Sequence, residues 1–595
     1  FYDRDYNLCI LCGRCIRVCN DVRLNGTLSF KQRGKLTTIG PAFDRSHLEA
    51  GCEFCGACVS VCPTGALSVK TSKWYGRPDR VVETTCVYCP LGCRLVLQVK
   101  SGEVVDVLPD YESPVDQGLL CVKGRFAVPE YVHNAQRLTT PRRMTPIGYE
   151  DIDWNQALSL AAERLAGIEG DDFLMIVSAD LCNEDLFAAQ AFTRRVMHSE
   201  NLSSMVAVEA GDDLAAFADL VLQSEPFRAL DGADVILAVG FDGSYGFSPL
   251  AVAIKKALNR GAALAVIGAS PSSLDMYASA CSVGDRPKWA DIITRCIDEK
   301  SLGEEKKARS RQIGGEASPG AEGDWEAFGR LCRSSGRRVL VVGPDVFSWK
   351  DRQELFRCLF ELRDGLGWRT VVAHPYTNFG GLVAMGAIAG LKPGDAVERD
   401  NNGEPLTLRP DAGWSRAQKR RKVVYVIGEM PSEPAPPCDF LIYQNGLPAA
   451  AGREPALVLP SAVFAESDGT VISAGGKVLG VRKAVDAPGL RRPDWVLLNS
   501  LAEMMKKGGL RFESLASIRR EVKGSVQGFG GPGASLRFVR FVRAGDGTAP
   551  RKRGKGGAVP KRARHRGVFL ADVVAGMKII EAERAGEPPS PEESL

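Results

Sequence analysis

The sequence predicts an α/β chain preceded by two small cysteine-rich units. Two observations carry this expectation. Between residues 150 and 500, short continuous apolar runs alternate with helical patterns, and twelve of the eighteen cysteines fall in the first 121 residues. Helices between continuous apolar strands imply parallel sheets covered on both faces. A disulfide scaffold would distribute its cysteines along the chain, so the crowded thiols place metal chemistry at the front.

At 595 residues, with 45% hydrophobic and 25% charged composition, the chain has the length for about four domain-sized cores. Its 76 basic and 72 acidic residues leave a net charge of +4. That balance produces no field that would itself predict nucleic-acid or membrane binding. No run approaches the ~18 to 20 apolar residues needed for a bilayer span; Val235 to Phe241 and Leu264 to Ala269 have the length of core strands. Phe1 is followed by Asp3, Arg4 and Asp5, which is not the pattern of a signal peptide, and a first residue other than Met leaves open a missing upstream piece.

The first element, residues 1–78, contains Cys9, Cys12, Cys15 and Cys19 in the form C-x2-C-x2-C-x3-C. Cys52, Cys55, Cys58 and Cys62 repeat it, with Pro63 directly after; Asn20 stands where the first set would have its proline. This is the two-cluster ferredoxin spacing, in which the fourth cysteine of each run serves the other cluster. One 4Fe-4S cluster is therefore expected on Cys9, Cys12, Cys15 and Cys62, and a second on Cys52, Cys55, Cys58 and Cys19. Zinc also takes four thiolates from paired C-x2-C elements, but three cysteines at successive x2 spacings suit a cubane better. The small residues Gly13, Gly56 and Ala57 let backbone amides approach sulfur.

The second element, residues 79–138, carries Cys86, Cys89, Cys93 and Cys121 as C-x2-C-x3-C-x27-C. With x3 in place of x2 and a distant fourth ligand, this is a separate domain and not a third ferredoxin repeat. Zinc is a more serious rival here on spacing alone.

The residues after Cys121 decide between them. Cys121-Val122-Lys123-Gly124-Arg125, then Arg137-Leu138-Thr139-Thr140-Pro141, then Asp153-Trp154-Asn155-Gln156-Ala157-Leu158, resemble the entry to the molybdopterin oxidoreductase superfamily. With Arg4 to Cys15 in front, the order resembles the alpha subunit of NAD-linked formate dehydrogenases and the large iron-sulfur subunit of NADH-quinone oxidoreductase (complex I). The resemblance covers residues 1 to about 505 and implies a third 4Fe-4S cluster. In those relatives a 2Fe-2S domain and a cluster with one His ligand come first; neither has a counterpart in this sequence.

The third element, residues 139–510, is then expected to be a degenerate molybdopterin-oxidoreductase-like α/β domain. Strands are expected at Phe173 to Ser178, Asp234 to Phe241, Ala263 to Gly268, Val339 to Gly343, Val371 to His374, Val423 to Gly428, Phe440 to Tyr443 and Ala456 to Leu459. Helices are expected at Asp185 to Met197, Pro249 to Asn259 and Gln353 to Leu362, and Gly303 to Asp324 and Pro393 to Lys422 read as polar surface inserts.

The resemblance also shows what has been lost. In formate dehydrogenases the segment resembling Ala191 to Glu209 ends in a metal-ligating Cys or selenocysteine followed by His; here those positions hold Glu209 and Ala210. The family's G-x-N turn becomes Gly240-Phe241-Asp242, and its Asp-Pro-Arg becomes Gly268-Ala269-Ser270. Asn378 to Gly386 resembles N-x-Q-G-x-x-D-x-G with Gly380 and Ala384 in place of Gln and Asp. An anionic dinucleotide would lose charged partners worth roughly 1.5–3 kcal/mol each. Molybdopterin is therefore expected to be absent. Lys123, which in catalytic relatives lies between cluster and pterin, is expected to be a charge beside Cys121.

The fourth element, residues 511–595, reads as a basic linker with a C-terminal helix, too short for the family's pterin-binding barrel. Its Lys- and Arg-rich stretch from Arg551 to Arg566 lacks the aromatic residues a nucleic-acid groove would want, and Val568 to Ala585 has an apolar helical pattern. His47, His133, His198, His374 and His565 form no ligand spacing, and the six cysteines after Cys121 read as small core residues.

The sequence thus predicts an electron-transfer subunit with three 4Fe-4S clusters on a scaffold that has lost its metal centre. The resemblance implies a flavin-containing, NADH-oxidising partner and further redox subunits in a hetero-oligomeric complex. No nucleic-acid partner and no membrane span are expected, and the location expected is cytoplasmic. The alternative is a catalytic formate dehydrogenase alpha subunit holding Mo or W by two pterins and an unusual ligand.

Overall fold

Runs such as Phe173–Val177 and Val235–Val239 contain no polar side chain, so as strands they need cover on both faces. Each has a parallel partner on both sides. The computed structural model describes residues 1–168, 170–284, 286–297, 329, 336–348, 352–398, 405–408, 419–430, 437–449, 453–489 and 491–543.

Two sheets organise the larger part. One has the order Ala280–Val283, Ala263–Gly268, Val235–Val239, Arg338–Val342, Arg369–Val372, all parallel. The other runs Leu202–Ser204, Phe173–Val177, Arg421–Ile427, Cys438–Asn445, Leu457–Pro460 in parallel, then adds the antiparallel hairpin Arg142–Thr145 and Gly148–Asp151 at its edge. The first helix, Trp154–Leu165, starts where a capping box allows: the Asp153 carboxylate accepts from the Gln156 amide, and the Gln156 side chain accepts from the Asp153 amide. The helices Asn183–Ala191 and Asp494–Met504 pack against the same core, with Phe187, Phe192, Leu497 and Leu501 fully buried. The α/β architecture with parallel sheets expected from the sequence is present.

The N-terminal part has little regular structure. The ribbon Tyr2–Arg4 with Leu67–Val69 ties its two ends together, and the one-turn helices Arg14–Arg17 and Ala57–Ser60 each follow a glycine in the left-handed conformation. So small a unit buries too little apolar surface to stand unaided, and bound metal is one of the usual staples. Next come the antiparallel strands Arg80–Thr85, Arg94–Lys100 and Glu103–Pro109 and the helix Val122–Val132.

The structure differs from the sequence reading at the C-terminal side. Residues 511–543, read as the start of a linker, pack on the α/β domain. The helix Leu515–Ser525 buries Ile518 and Val522, and Phe529, Leu536, Phe538 and Phe541 join the main core. Phe541–Arg543 pairs in parallel with Leu406–Leu408, inside the stretch read as a polar insert, where Ala396 and Val397 are also buried. These apolar residues are too sparse for a periodic signal, and their partners lie over a hundred residues away. The insert Gly303 to Asp324, the basic stretch and the C-terminal helical pattern lie outside the described residues.

Candidate metal centres

Cys9, Cys12, Cys15 and Cys62 line one cavity, walled by Ile10, Ile39, Ala66 and Leu67. Cys19, Cys52, Cys55 and Cys58 line a second, beside Arg23, Glu53 and His47. The fourth cysteine of each motif therefore faces the other motif's cavity. Local geometry explains the split. Gly13 (φ 69°) and Gly56 (φ 70°) turn the chain into the short helices that carry Cys15 and Cys58. The π-type turn Val18–Val22 then carries Cys19 away from its own loop.

Cys15, Cys19, Cys52 and Cys58 are held against their own ionisation. Burial, reinforced by Cys55 and Cys19, pushes Cys52 up to about 12 despite the Phe54 amide at 3.4 Å, and burial drives Cys58 well above the ordinary thiol range. Burial raises Cys15 and Cys19 as well. At Cys62 burial acts the same way, but the amides of Leu67, Thr64 and Ala66 and the Thr64 hydroxyl outweigh it, and its pKa falls. Four thiolates in an apolar ring require a compensating positive charge, which the iron of a cluster provides. A ring around a cavity fits a multi-iron group, whereas zinc draws its sulfurs to about 2.3 Å from one centre.

In the third set, Cys86 and Cys93 are buried, and the Cys86 amide donates to the Cys93 carbonyl at 2.8 Å. Cys121 caps the helix Val122–Val132. Burial first, then the neighbouring Cys89 and Cys121, lifts Cys86 well above the thiol range; Cys93 is lifted by burial, Asp116 and the other three cysteines. All four thiols thus lie within electrostatic reach of one another. Lys123 sits half-buried in the first turn after Cys121.

The second cavity abuts the third set. A methyl group at Gly56 would come within 2.8 Å of Arg125 Cγ and Phe126 Cζ, both on the helix that Cys121 caps. Arg125 pairs with Asp106 at 2.6 Å, and Phe126 stacks on Phe1. On the other side Arg23 and Lys255 both pair with the buried Glu53, at 3.2 and 2.9 Å. Sequence reasoning missed this Arg23, Glu53 and Lys255 group. The one signal it offered was an acidic residue placed directly after Cys52, inside a cysteine motif.

In the α/β domain, Glu209 accepts a hydrogen bond from the Tyr376 hydroxyl. Arg352 pairs with Asp213 at 3.2 Å and donates to the Ala210 carbonyl at 2.8 Å. Phe217 packs edge-on against Phe347, Tyr376 and Phe379. Asn378 is used within the fold: its Oδ1 accepts from the amides of Gly381 and Ile472, and its Nδ2 donates to Leu181 and Asn183. A methyl group at Gly380 would meet Ile472 at 2.9 Å and Phe538 at 3.5 Å.

Residues 137–504 match the family model described as molybdopterin oxidoreductase. The chain belongs to the molybdopterin oxidoreductase family. Residues 79–134 match the molybdopterin oxidoreductase Fe4S4 domain and residues 8–66 the 4Fe-4S dicluster domain, so this family member carries Fe4S4 cluster domains. It is similar to the F420-dependent formate dehydrogenase 2 subunit alpha of Methanococcus maripaludis, with 25% identity over 76% of this chain and 74% of that one. It is similar to the NADPH-Fe(3+) oxidoreductase subunit alpha of Geobacter sulfurreducens, with 26% identity over 89% of this chain and 68% of the relative. It also resembles the mitochondrial NADH-ubiquinone oxidoreductase 78 kDa subunit of Candida albicans, with 24% identity over 86% of this chain and 64% of the relative.

Phe241 is buried in the core, and Asp242 accepts from Ser244. His374 is buried against Phe217 and Phe379. Cys182, Cys358 and Cys438 are buried core residues and Cys281 is partly exposed; the Cys332 position and the Cys296 side chain lie outside what is described. Among the described residues no helix is long and apolar enough to cross a membrane.

Proposed function

We propose that this chain is an iron-sulfur electron-transfer subunit of a multi-subunit, NADH-linked oxidoreductase complex. It relays electrons between a flavin-bearing NADH dehydrogenase partner and another redox subunit. The observation that carries this reading is the exchange of Cys19 and Cys62 between two adjoining cavities, each lined by four thiols. We assign one 4Fe-4S cluster to Cys9, Cys12, Cys15 and Cys62, a second to Cys52, Cys55, Cys58 and Cys19, and a third to Cys86, Cys89, Cys93 and Cys121. When bound, such clusters supply one-electron redox chemistry.

The protein's own contribution is order and insulation. The Gly56 contact with Arg125 and Phe126 fixes the second cavity against the helix capped by Cys121, which sets the second ligand set beside the third. Ile39, Ala66 and Leu67 exclude water from the first cavity, and the amides donating to Cys62 and Cys52 favour the thiolate. Lys123 adds a cation beside the third set.

We take the chain to bind no molybdopterin. The supporting contacts are Tyr376 holding Glu209, the position equivalent to the family's metal ligand, and Ile472 and Phe538 packed beside Gly380. The catalytic formate dehydrogenase alternative would have to free Glu209 from Tyr376. Cluster thiols in this number suit a reducing compartment, which favours the cytoplasm.

The test is isolation of the complex from its native source, followed by anaerobic addition of NADH. A flavin-bearing chain should co-purify, and NADH should bleach the iron-sulfur absorption and raise reduced-cluster EPR signals. Clusters that respond to formate and not to a nicotinamide would overturn the assignment.

A further inference from the structure

Arg23 is buried more deeply than its chemistry would ordinarily allow. Its side chain is 1% exposed and lines the cavity of Cys19, Cys52, Cys55 and Cys58. Nη2 donates to Glu53 at 3.2 Å and to the Ser248 hydroxyl. Nε and Nη1 are buried with no hydrogen-bond partner. Unsatisfied donors on a buried cation are costly, and a native fold that keeps two of them implies an acceptor on that side. Arg23 itself lines the cavity ringed by the sulfurs of Cys19, Cys52, Cys55 and Cys58.

The charges agree. Glu53 already has a second cation, Lys255 Nζ at 2.9 Å, so two positive groups share one carboxylate and the trio carries net positive charge. A staple between the N-terminal part and the helix Ser248–Leu258 needs only one of them. Burial lowers the pKa of Arg23, but Cys55, Glu53 and, further out, Cys121 reverse that effect. The first cavity has no such group; its one cationic lining residue, Arg14, is exposed and screened by solvent.

We propose that Nε and Nη1 of Arg23 donate hydrogen bonds to sulfur atoms of the cluster held by Cys19, Cys52, Cys55 and Cys58, and that Arg23 thereby raises its reduction potential. This rests on the ligand assignment above. Reduction adds negative charge, and a buried cation with two aimed donors stabilises the reduced form more than the oxidised one. The reduced state is thus favoured on the inner side of the pair, the side that faces Cys121.

The experiment is an EPR-monitored redox titration of the full chain and its Arg23→Gln and Arg23→Lys variants, with iron counted in each. The signal in question is identified by its loss in Cys55→Ala. Arg23→Gln is expected to keep its iron while the oxidation equilibrium of that cluster shifts tenfold or more toward the oxidised form, about 59 mV for one electron. The cluster of Cys9, Cys12, Cys15 and Cys62 should not move. Arg23→Lys, which keeps the charge but not the forked donors, is expected to shift it in the same direction by less. An unchanged midpoint in Arg23→Gln overturns the proposal, and so does loss of iron from both variants, which would make Arg23 a structural staple. A wild-type chain lacking the Cys55-dependent signal overturns the ligand assignment and this inference with it.

Discussion

Gly56 and Gly13 occupy the same place in the two cysteine motifs, each just before the helix that carries the third ligand, and each has φ near 70°. Replacement by Ala imposes the left-handed strain on both, about 1–2 kcal/mol. Their surroundings differ. At Gly13 the added methyl meets Phe30 Cζ at 3.2 Å and Arg17 Nη1 at 3.4 Å, the far ends of side chains with room to move, since Phe30 is 52% exposed. At Gly56 it meets Arg125 Cγ and Phe126 Cζ at 2.8 Å. Neither can retreat: Arg125 is tied to Asp106, and Phe126 is stacked on Phe1. Overpacking of that kind adds about 1–3 kcal/mol. Gly56→Ala is therefore expected to cost roughly 2–5 kcal/mol against about 1–2 kcal/mol for Gly13→Ala. Thermal unfolding followed at the cluster absorption, with iron counted after purification, should show the larger loss in Gly56→Ala. Equal losses would refute the tight seating of the second cavity against the helix Val122–Val132.

Cys55→Ala should remove one of the two N-terminal clusters and abolish NADH-linked turnover of the whole complex; full turnover in that variant would rule out a through-relay role. Asp494 lies beside the Asp185 carboxylate, and burial pushes it up to about 6. A carboxyl raised in the folded state contributes stability below about pH 4 that is lost as pH rises through about 6. Asp494→Asn, which keeps the Oδ1 that accepts from Gln444 at 2.7 Å, should match wild type at pH 4 and gain about 2 kcal/mol by pH 8, read by denaturant titration at both pH values. A pH-independent gain would point to packing instead. Arg519, about one-third exposed, donates to the buried Glu184 at 2.6 Å and pins the helix Leu515–Ser525. Arg519→Met should cost about 1–2 kcal/mol, less than a fully buried pair, and hasten proteolysis between residues 505 and 543. Unaltered cleavage kinetics would mean that apolar contacts alone hold this segment.

The cysteine spacing and the uninterrupted apolar runs were legible because each is local. Three thiols at x2 spacing must wrap one centre, and a strand such as Phe173–Val177, apolar at every position, can only be interior. The placement of Cys62 and Cys19 in each other's cavities agrees with the exchange that the same spacing suggests. Illegible were the features made by distant partners. Nothing near Arg23 in the chain announces Lys255 or Ser248, more than two hundred residues on. Phe538 and Phe541 lie among glycines and arginines and show no period, so their burial depends on a cleft that only the assembled sheets create. The substituted positions Glu209 and Gly380 could be named from the sequence, but their neighbours, Tyr376 and Ile472, required the fold.

Metal analysis of the purified chain addresses the central claim most directly. Three clusters of four irons require about twelve Fe per chain, with neither molybdenum nor tungsten. Stoichiometric Mo or W would contradict the reading of this protein as a relay and restore it to substrate chemistry.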